Sequence, residues 1–290
     1  MNNNLLNMAL QLSMQDMFAG SWFSGALMNQ VWTEMMRAGV NGLVRNTGGA
    51  DLLGAALGGG LRADAAMLRQ ASSNVSEAQG MMNMAARASG NIASLLKEAQ
   101  TLADDFLAAT EGMIPGTTAY DALYEQYQPL YEAISKNIDS IIKNTVYNGI
   151  SLLNGNAWTN GDERLSVTRD AGNNPVAASV HIQAGDSGFP LVFSNMSTDF
   201  FDVAAKRGLY DNPAVRTGLA GLQSSAQTLA DLYAGRAGSL QSQAASLQSQ
   251  AKILGEAAAK RAGTSASVST ESILLDLILR NTGGIFSGKG

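Results

Sequence analysis

Apolar residues recur along this chain in long seven-residue rhythms. Between residues 63 and 109, Leu68, Val75, Met82, Leu96 and Ala103 hold one seam position. Ala71, Ala78, Ala85, Ile92, Ala99 and Phe106 hold the other, with Ser89 the polar exception. Apolar spacing that steps by three and four is the signature of a helix packed along a seam. "EGMIPGTTAYD" ends this helix with Gly and Pro. A second helix is expected from about Ala119 to Thr145, with an apolar stripe of Leu123, Leu130 and Ile138 beside Tyr127, Ile134 and Ile141. Pro129 lies inside it, at a position able to kink it.

The third rhythm runs from Leu219 to Ala262, after a start near Pro213 that Asp211 or Asn212 can cap. Leu219, Ala226, Tyr233, Leu240, Leu247 and Leu254 hold one seam position. Leu222, Leu229, Arg236, Gln243, Gln250 and Ala257 fall at the other. Within it, "LQSQAASLQSQAKIL" nearly copies itself after seven residues. This spacing predicts a seam half leucine and half glutamine, set against the alanine-rich strip of the first helix. Gln243 and Gln250 are then polar seam residues that keep register.

Between the second and third helices the texture changes. "NTVYNGISLLNGN" holds two Asn-Gly pairs, which announce turns. "RLSVTRD", "VAASVHIQA" and "FPLVFS" alternate apolar and polar residues around "AGNNP", which predicts a small antiparallel sheet with hairpins.

The two ends are greasier than the middle. Residues 4 to 44 carry only Asp16, Glu34 and Arg37 as charges, and Gly20 and Gly25 bracket "SWFS", consistent with either one helix or two with a break. "RNTGGADLLGAALGGG", residues 45 to 60, reads as a linker or helix stop. "ESILLDLILRNTGGIFSGKG" closes the chain with a short apolar helix, and its "ILRNTGG" echoes "LVRNTGG" at residues 43 to 49. Each copy follows an apolar helix with Arg and a glycine cap.

The fold class expected is mainly α: an elongated antiparallel helical bundle or coiled-coil rod with a small β-hairpin region, plus apolar terminal helices. Residues 1–50 and 264–290 form the terminal helices. Residues 51–263 form the rod domain, with its sheet at about 162–195.

Composition narrows the function. Of 290 residues 46% are hydrophobic, ample for a core, and 15% are charged with a net charge of −5. With no basic surplus, a nucleic-acid partner is not expected. There is no cysteine, which excludes disulfides and thiolate metal sites, and His181 is the single histidine. His181 sits on one face of an expected strand, Asp104 and Asp105 point to different faces of a helix, and "LGGG" at 57–60 lacks the Lys-Ser/Thr of a phosphate loop. No catalytic set, cofactor site or metal site emerges. The N-terminus lacks the basic region and cleavage site of a signal peptide. The charge-free run at residues 17–33 is short and polar for a bilayer span, so a membrane partner is not expected either. Trp22, Phe23, Trp32, Met35 and Met36 would leave a large apolar patch on a monomer, which points to assembly.

Several segments carry a family resemblance. "LRQASSNVSEAQGMMNMAARASGNIASLLKEAQTLA", residues 68 to 103, resembles the first long helix of the bacterial flagellin rod domain. "IDSIIKNTVYNGISLLNG", residues 138 to 155, is similar to the flagellin "I-x-x-N-T-x-F-N-G-x-x-L-L" segment, with Tyr147 at the aromatic position and Asn148 and Gly149 at the turn. "VHIQAGDSG" is similar to the strand that follows, and the Gln-rich helix at 219–262 to the C-terminal rod helix. The match covers somewhat more than half the chain, in family order. It departs from the family in its more apolar, tryptophan-bearing N-terminus, its short C-terminal tail, and the absence of a variable outer domain.

The resemblance implies an extracellular structural subunit, exported without a cleavable signal peptide, whose partner is itself in a homopolymeric filament. It implies an export chaperone and junction or cap proteins as further partners. The expected inner-core interface residues are Phe18, Trp22, Phe23, Leu27, Val31, Trp32, Met35, Leu274, Leu275 and Ile278. The expected rod seam and turn residues are Leu68, Val75, Ile92, Asn144, Tyr147, Asn148, Gly149, Leu240, Leu247 and Leu254. The rival readings are a hook–filament junction protein of the same export class, and a type III-secreted protein that inserts residues 17–33 into a bilayer.

Overall fold

The computed structural model describes residues 50–158, 163–185, 187–197 and 213–263. Among these the chain is mainly helical, with three helices and two small antiparallel sheets. Helix α1 spans Ala50–Ala109, α2 Thr118–Asn144 and α3 Pro213–Gly263. Strands β1 (Val146–Tyr147) and β2 (Ile150–Ser151) form a two-stranded hairpin. Strands β3 (Leu165–Arg169), β4 (Pro175–Ala184) and β5 (Ser187–Ser194) form a sheet in the order β3-β4-β5, with β3 and β4 antiparallel. The expected terminal helices, the ten inner-core residues and the caps Asp211 and Asn212 lie outside the described residues.

Two compact units divide the chain. The first holds Glu77–Ile182 and Phe189–Leu240. Its core is built on the α1 seam: Ala78, Met82, Ala85, Ile92, Leu96, Ala99, Ala103 and Phe106 are all buried. Ser89, the polar exception, is buried as well, and its Oγ donates to Met196 Sδ at 3.5 Å. Phe106 packs edge-on against Tyr120, Tyr124 and Tyr127 at 5.6, 6.2 and 5.4 Å between ring centroids. Edge-to-face pairing suits aromatic rings, whose positive rims meet negative faces. Helix α3 contributes Leu219, Ala226, Leu229, Ala230, Tyr233, Ala237 and Leu240 to this core.

The second unit includes Gln183–Gly188 together with the parts of α1 up to Ser76 and of α3 from Gln241. Ser72 Oγ donates to Ala244 O at 2.9 Å, and the guanidinium of Arg69 lies over Gly255. The pairing of 69 with 255 and of 72 with 244 makes the two helices antiparallel within this unit. Asn74 Nδ2 reaches Gln183 O at 2.8 Å and holds the strand end to α1.

Three details depart from the sequence pattern. Gly58, Gly59 and Gly60 lie inside α1, which begins at Ala50, so "LGGG" is neither linker nor stop. Glycine in a helix interior costs about 1 kcal/mol each relative to alanine, a penalty that a 60-residue helix absorbs. On α2 the buried residues are Tyr120, Tyr131, Ile134, Ile138 and Ile142, whereas Leu130 is 52% exposed. The stripe follows the 3.6-residue turn, which carries it from Ile138 to Ile142 and leaves Ile141 at its edge. On α3 the residues buried between the leucines are Ala244 and Ala251, while Gln243 and Gln250 are only half-buried. The seam steps four then three from each leucine, not three then four, so the glutamines flank it.

Candidate functional site

The segment with the most specific pattern, Asn144 to Gly149, folds as the end of α2 and a tight hairpin. Thr145 closes the helix: its N–H donates to Ile141 O at 3.0 Å and its Oγ1 to the same carbonyl at 2.6 Å. Val146 pairs with Ser151 and Tyr147 with Ile150, which leaves Asn148 and Gly149 as a two-residue loop. Both have positive φ, 47° and 80°, the conformation that a two-residue hairpin turn requires and that the Asn-Gly pair adopts at least cost.

This hairpin is tied to α1. Asn148 Nδ2 donates to Glu77 Oε1 at 2.9 Å, and Arg164 Nη1 donates to Asn148 O at 3.1 Å. Gly80 leaves the space in which the Tyr147 ring rests; a Cβ there would lie 3.7 Å from that ring. The Tyr147 phenol is pushed above its ordinary value, by burial first and by the Glu77 charge second. Asn144 is exposed, and its Nδ2 donates to Ser140 Oγ at 3.0 Å.

A second cluster joins the chain after β2 to the β-sheet. Asn195 Oδ1 accepts from Gly155 N at 2.8 Å, from Ser197 N at 2.9 Å and from Ser197 Oγ at 2.6 Å. Its Nδ2 donates to Pro175 O at 2.7 Å. Trp158 is buried, with Nε1 donating to Ser151 O at 2.7 Å. Tyr233, fully buried on α3, accepts from Ser194 N at 2.8 Å, and burial raises its phenol above the usual range. The neighbouring Arg236 lies 5.7 Å from the Phe189 ring centroid, a cation–π distance, and burial lowers its guanidinium from its ordinary value.

The expected seam residues Leu68, Val75, Ile92, Leu240, Leu247 and Leu254 are all buried. Tyr147 is half-buried, and Asn148 and Gly149 are exposed. The sequence pattern did not single out Asn195, Trp158 or Glu77; "FSNMS" and "NGNAW" hold the first two, and Glu77 lies inside α1. Asn195 and Glu77 act through contacts with residues 40 and 71 positions away, which local periodicity does not encode.

The chemistry of the remaining surface is sparse. His181 is exposed on β4, and Asp104 and Asp105 are both exposed on α1. An open groove of about 300 Å³ lies between α1 and α2, lined by Glu98, Thr101, Leu102 and Asp105 on one side and Leu130, Ala133, Ile134 and Asn137 on the other. Among the described residues no group of three His, Cys, Asp or Glu side chains is placed to hold a metal ion. Likewise, none of the described helices is long and apolar enough to cross a membrane. The chain matches no family model and no curated protein.

Proposed function

We propose that the chain is a non-enzymatic structural subunit of an extracellular, flagellin-like helical filament. One observation carries the reading: the two segments that resemble flagellin most are bound to each other. The turn of "NTVYNG" is held to Glu77 and rests on Gly80, and both positions lie inside the 68–103 segment.

The continuous buried stripes of α1 and α3 support the same reading, since rod helices must bury one face against each other and still present another to neighbours. In this proposal the helices form an elongated antiparallel rod. The terminal segments, with Phe18, Trp22, Trp32, Leu274 and Ile278, order on docking and line the filament core. Identical heterologous contacts repeated from copy to copy do not close, and so generate a long fibre. Export through a type III apparatus supplies the unfolded chain, with a chaperone before it and junction or cap proteins around it.

Deletion of residues 1–44 tests the assignment of the core. The truncated chain is expected to be a soluble helical monomer by circular dichroism and sedimentation. If it polymerises like the full chain, the terminal segment is not the core and the proposal fails.

A further inference from the structure

Of the four Asn-Gly pairs in the sequence, the two that lie among the described residues sit in opposite chemical settings. At Asn148-Gly149 both residues are exposed, and the Gly149 N–H has no acceptor among the described residues. At Asn154-Gly155 the glycine is buried and its N–H is held by Asn195 Oδ1 at 2.8 Å. The Asn154 Oδ1 is also engaged, accepting from Asn156 N at 3.1 Å.

We propose that Asn148 is a site of spontaneous deamidation, and that its product severs the tie between the β1–β2 hairpin and α1. The absence of a Cβ on Gly149 leaves its nitrogen open to approach the neighbouring side chain. Hydroxide removes the Gly149 amide proton, and the nitrogen attacks Asn148 Cγ. The new C–N bond closes a succinimide ring, and the side-chain nitrogen leaves as ammonia with a proton from water. Water then opens either ring carbonyl, giving aspartate or isoaspartate. The net change is one water consumed and one ammonia released, with no oxidant or enzyme required.

The loop must open for the attack, and it is well suited to do so. Each strand of this hairpin is only two residues long, and so short a ladder opens locally at low cost. Deamidation then replaces a donor with an acceptor. Asn148 Nδ2 donates to Glu77 Oε1 at 2.9 Å, so a carboxylate at 148 faces a second carboxylate where the hydrogen bond was. The field of Glu77 already reaches this turn, where it helps raise the Tyr147 phenol. Arg164 Nη1 binds the main-chain carbonyl of Asn148, so it anchors the turn's backbone and not the side-chain bond to Glu77. Isoaspartate also lengthens the backbone by one atom and displaces that acceptor.

The test is incubation of the full chain in mildly alkaline buffer, followed by peptide mapping that separates Asn, Asp and isoaspartate. Asn148 should convert about tenfold or more faster than Asn154, the factor supplied by one buried hydrogen bond that must first break. Equal or reversed rates at the two sites would overturn the proposed site. Hydrogen exchange on Asn148→Asp tests the consequence: the Leu152 amide, bonded to Thr145 O at 2.9 Å in the hairpin, should lose protection. Adding Glu77→Gln to that variant should restore it by removing the repulsion. Unchanged protection in the single variant, or no recovery in the double, would show that the product does not cut the tie.

Discussion

The Asn195 side chain occupies the space that a Cβ on Gly155 would need: such an atom would lie 2.2 Å from Asn195 Cγ. The close approach is what lets Asn195 Oδ1 accept from Gly155 N, and the same amide ties Pro175 at the start of β4. Gly155→Ala therefore both clashes and breaks the bond, and a loss of about 3 kcal/mol is expected, the range for overpacking plus an orphaned buried donor. Asn195→Ala leaves several donors without acceptors and should cost a similar amount, measured by urea denaturation with an unchanged m-value. A loss below about 1 kcal/mol in both variants would show that the cluster is not a structural hub.

Tyr233→Phe removes one atom from the fully buried contact with Ser194 N. The shape is kept and the ring still lies 6.1 Å from Phe193. The expected cost is about 1–2 kcal/mol, from leaving one buried N–H unpaired, and it should appear in thermal unfolding as a lower Tm.

Alkaline pH should destabilise the fold through its buried tyrosines. Burial raises the Tyr131 phenol from 10.0 to about 12, and Tyr233 moves in the same direction. The unfolded chain then gives up protons that the folded chain retains, so stability is level below about 10 and falls as pH rises towards about 12. Denaturation curves across that window should flatten in Tyr131→Phe, and a slope equal to the parent's would contradict the assignment.

Glycine at two positions of α1 is replaceable. A Cβ at Gly80 meets Tyr147 at 3.7 Å and one at Gly90 meets Ala230 at 3.9 Å, both ordinary contacts. Gly80→Ala and Gly90→Ala should each stabilise by about 0.5–1 kcal/mol through helix propensity and a stiffer unfolded chain. A lower Tm for Gly80→Ala would mean that the hairpin sits tighter on α1 than these distances imply.

The glutamine repeat yields a sharper contrast. Ala244 and Ala251 are buried on α3 where Gln243 and Gln250 are only half-buried. Ala244→Leu should cost about 1–3 kcal/mol by overpacking, whereas Gln250→Ala should change stability by about 0.5 kcal/mol or less. The reverse order in urea melts would return the glutamines to the seam.

These contrasts mark how far the pattern of the chain reaches. The α1 seam is legible to the residue because Leu68 through Phe106 keep one spacing straight past Gly80 and Gly90, and all twelve positions are buried. The Asn148-Gly149 turn was legible because few dipeptides tolerate two successive positive φ values. On α3 the leucines are legible, but the three-then-four spacing that runs through Leu222 and Leu229 points on to Gln243 and Gln250, whereas the apolar residues at the alternative spacing, Ala244 and Ala251, are the ones buried. Leu130 lies seven residues after Leu123 and so fits the expected stripe, but the 3.6-residue turn gives that place to Tyr131 and leaves Leu130 exposed. The Asn195 cluster and the Glu77–Asn148 bond were not legible, since polar partners distant in sequence leave no period. The residues expected in the filament core lie outside the described residues.

Whether this chain is a filament subunit is decided by negative-stain electron microscopy of the concentrated 290-residue protein. Long filaments of uniform diameter, assembled from this chain alone, are the expected result. A field of single particles, or of closed rings that do not lengthen as concentration rises, would contradict it.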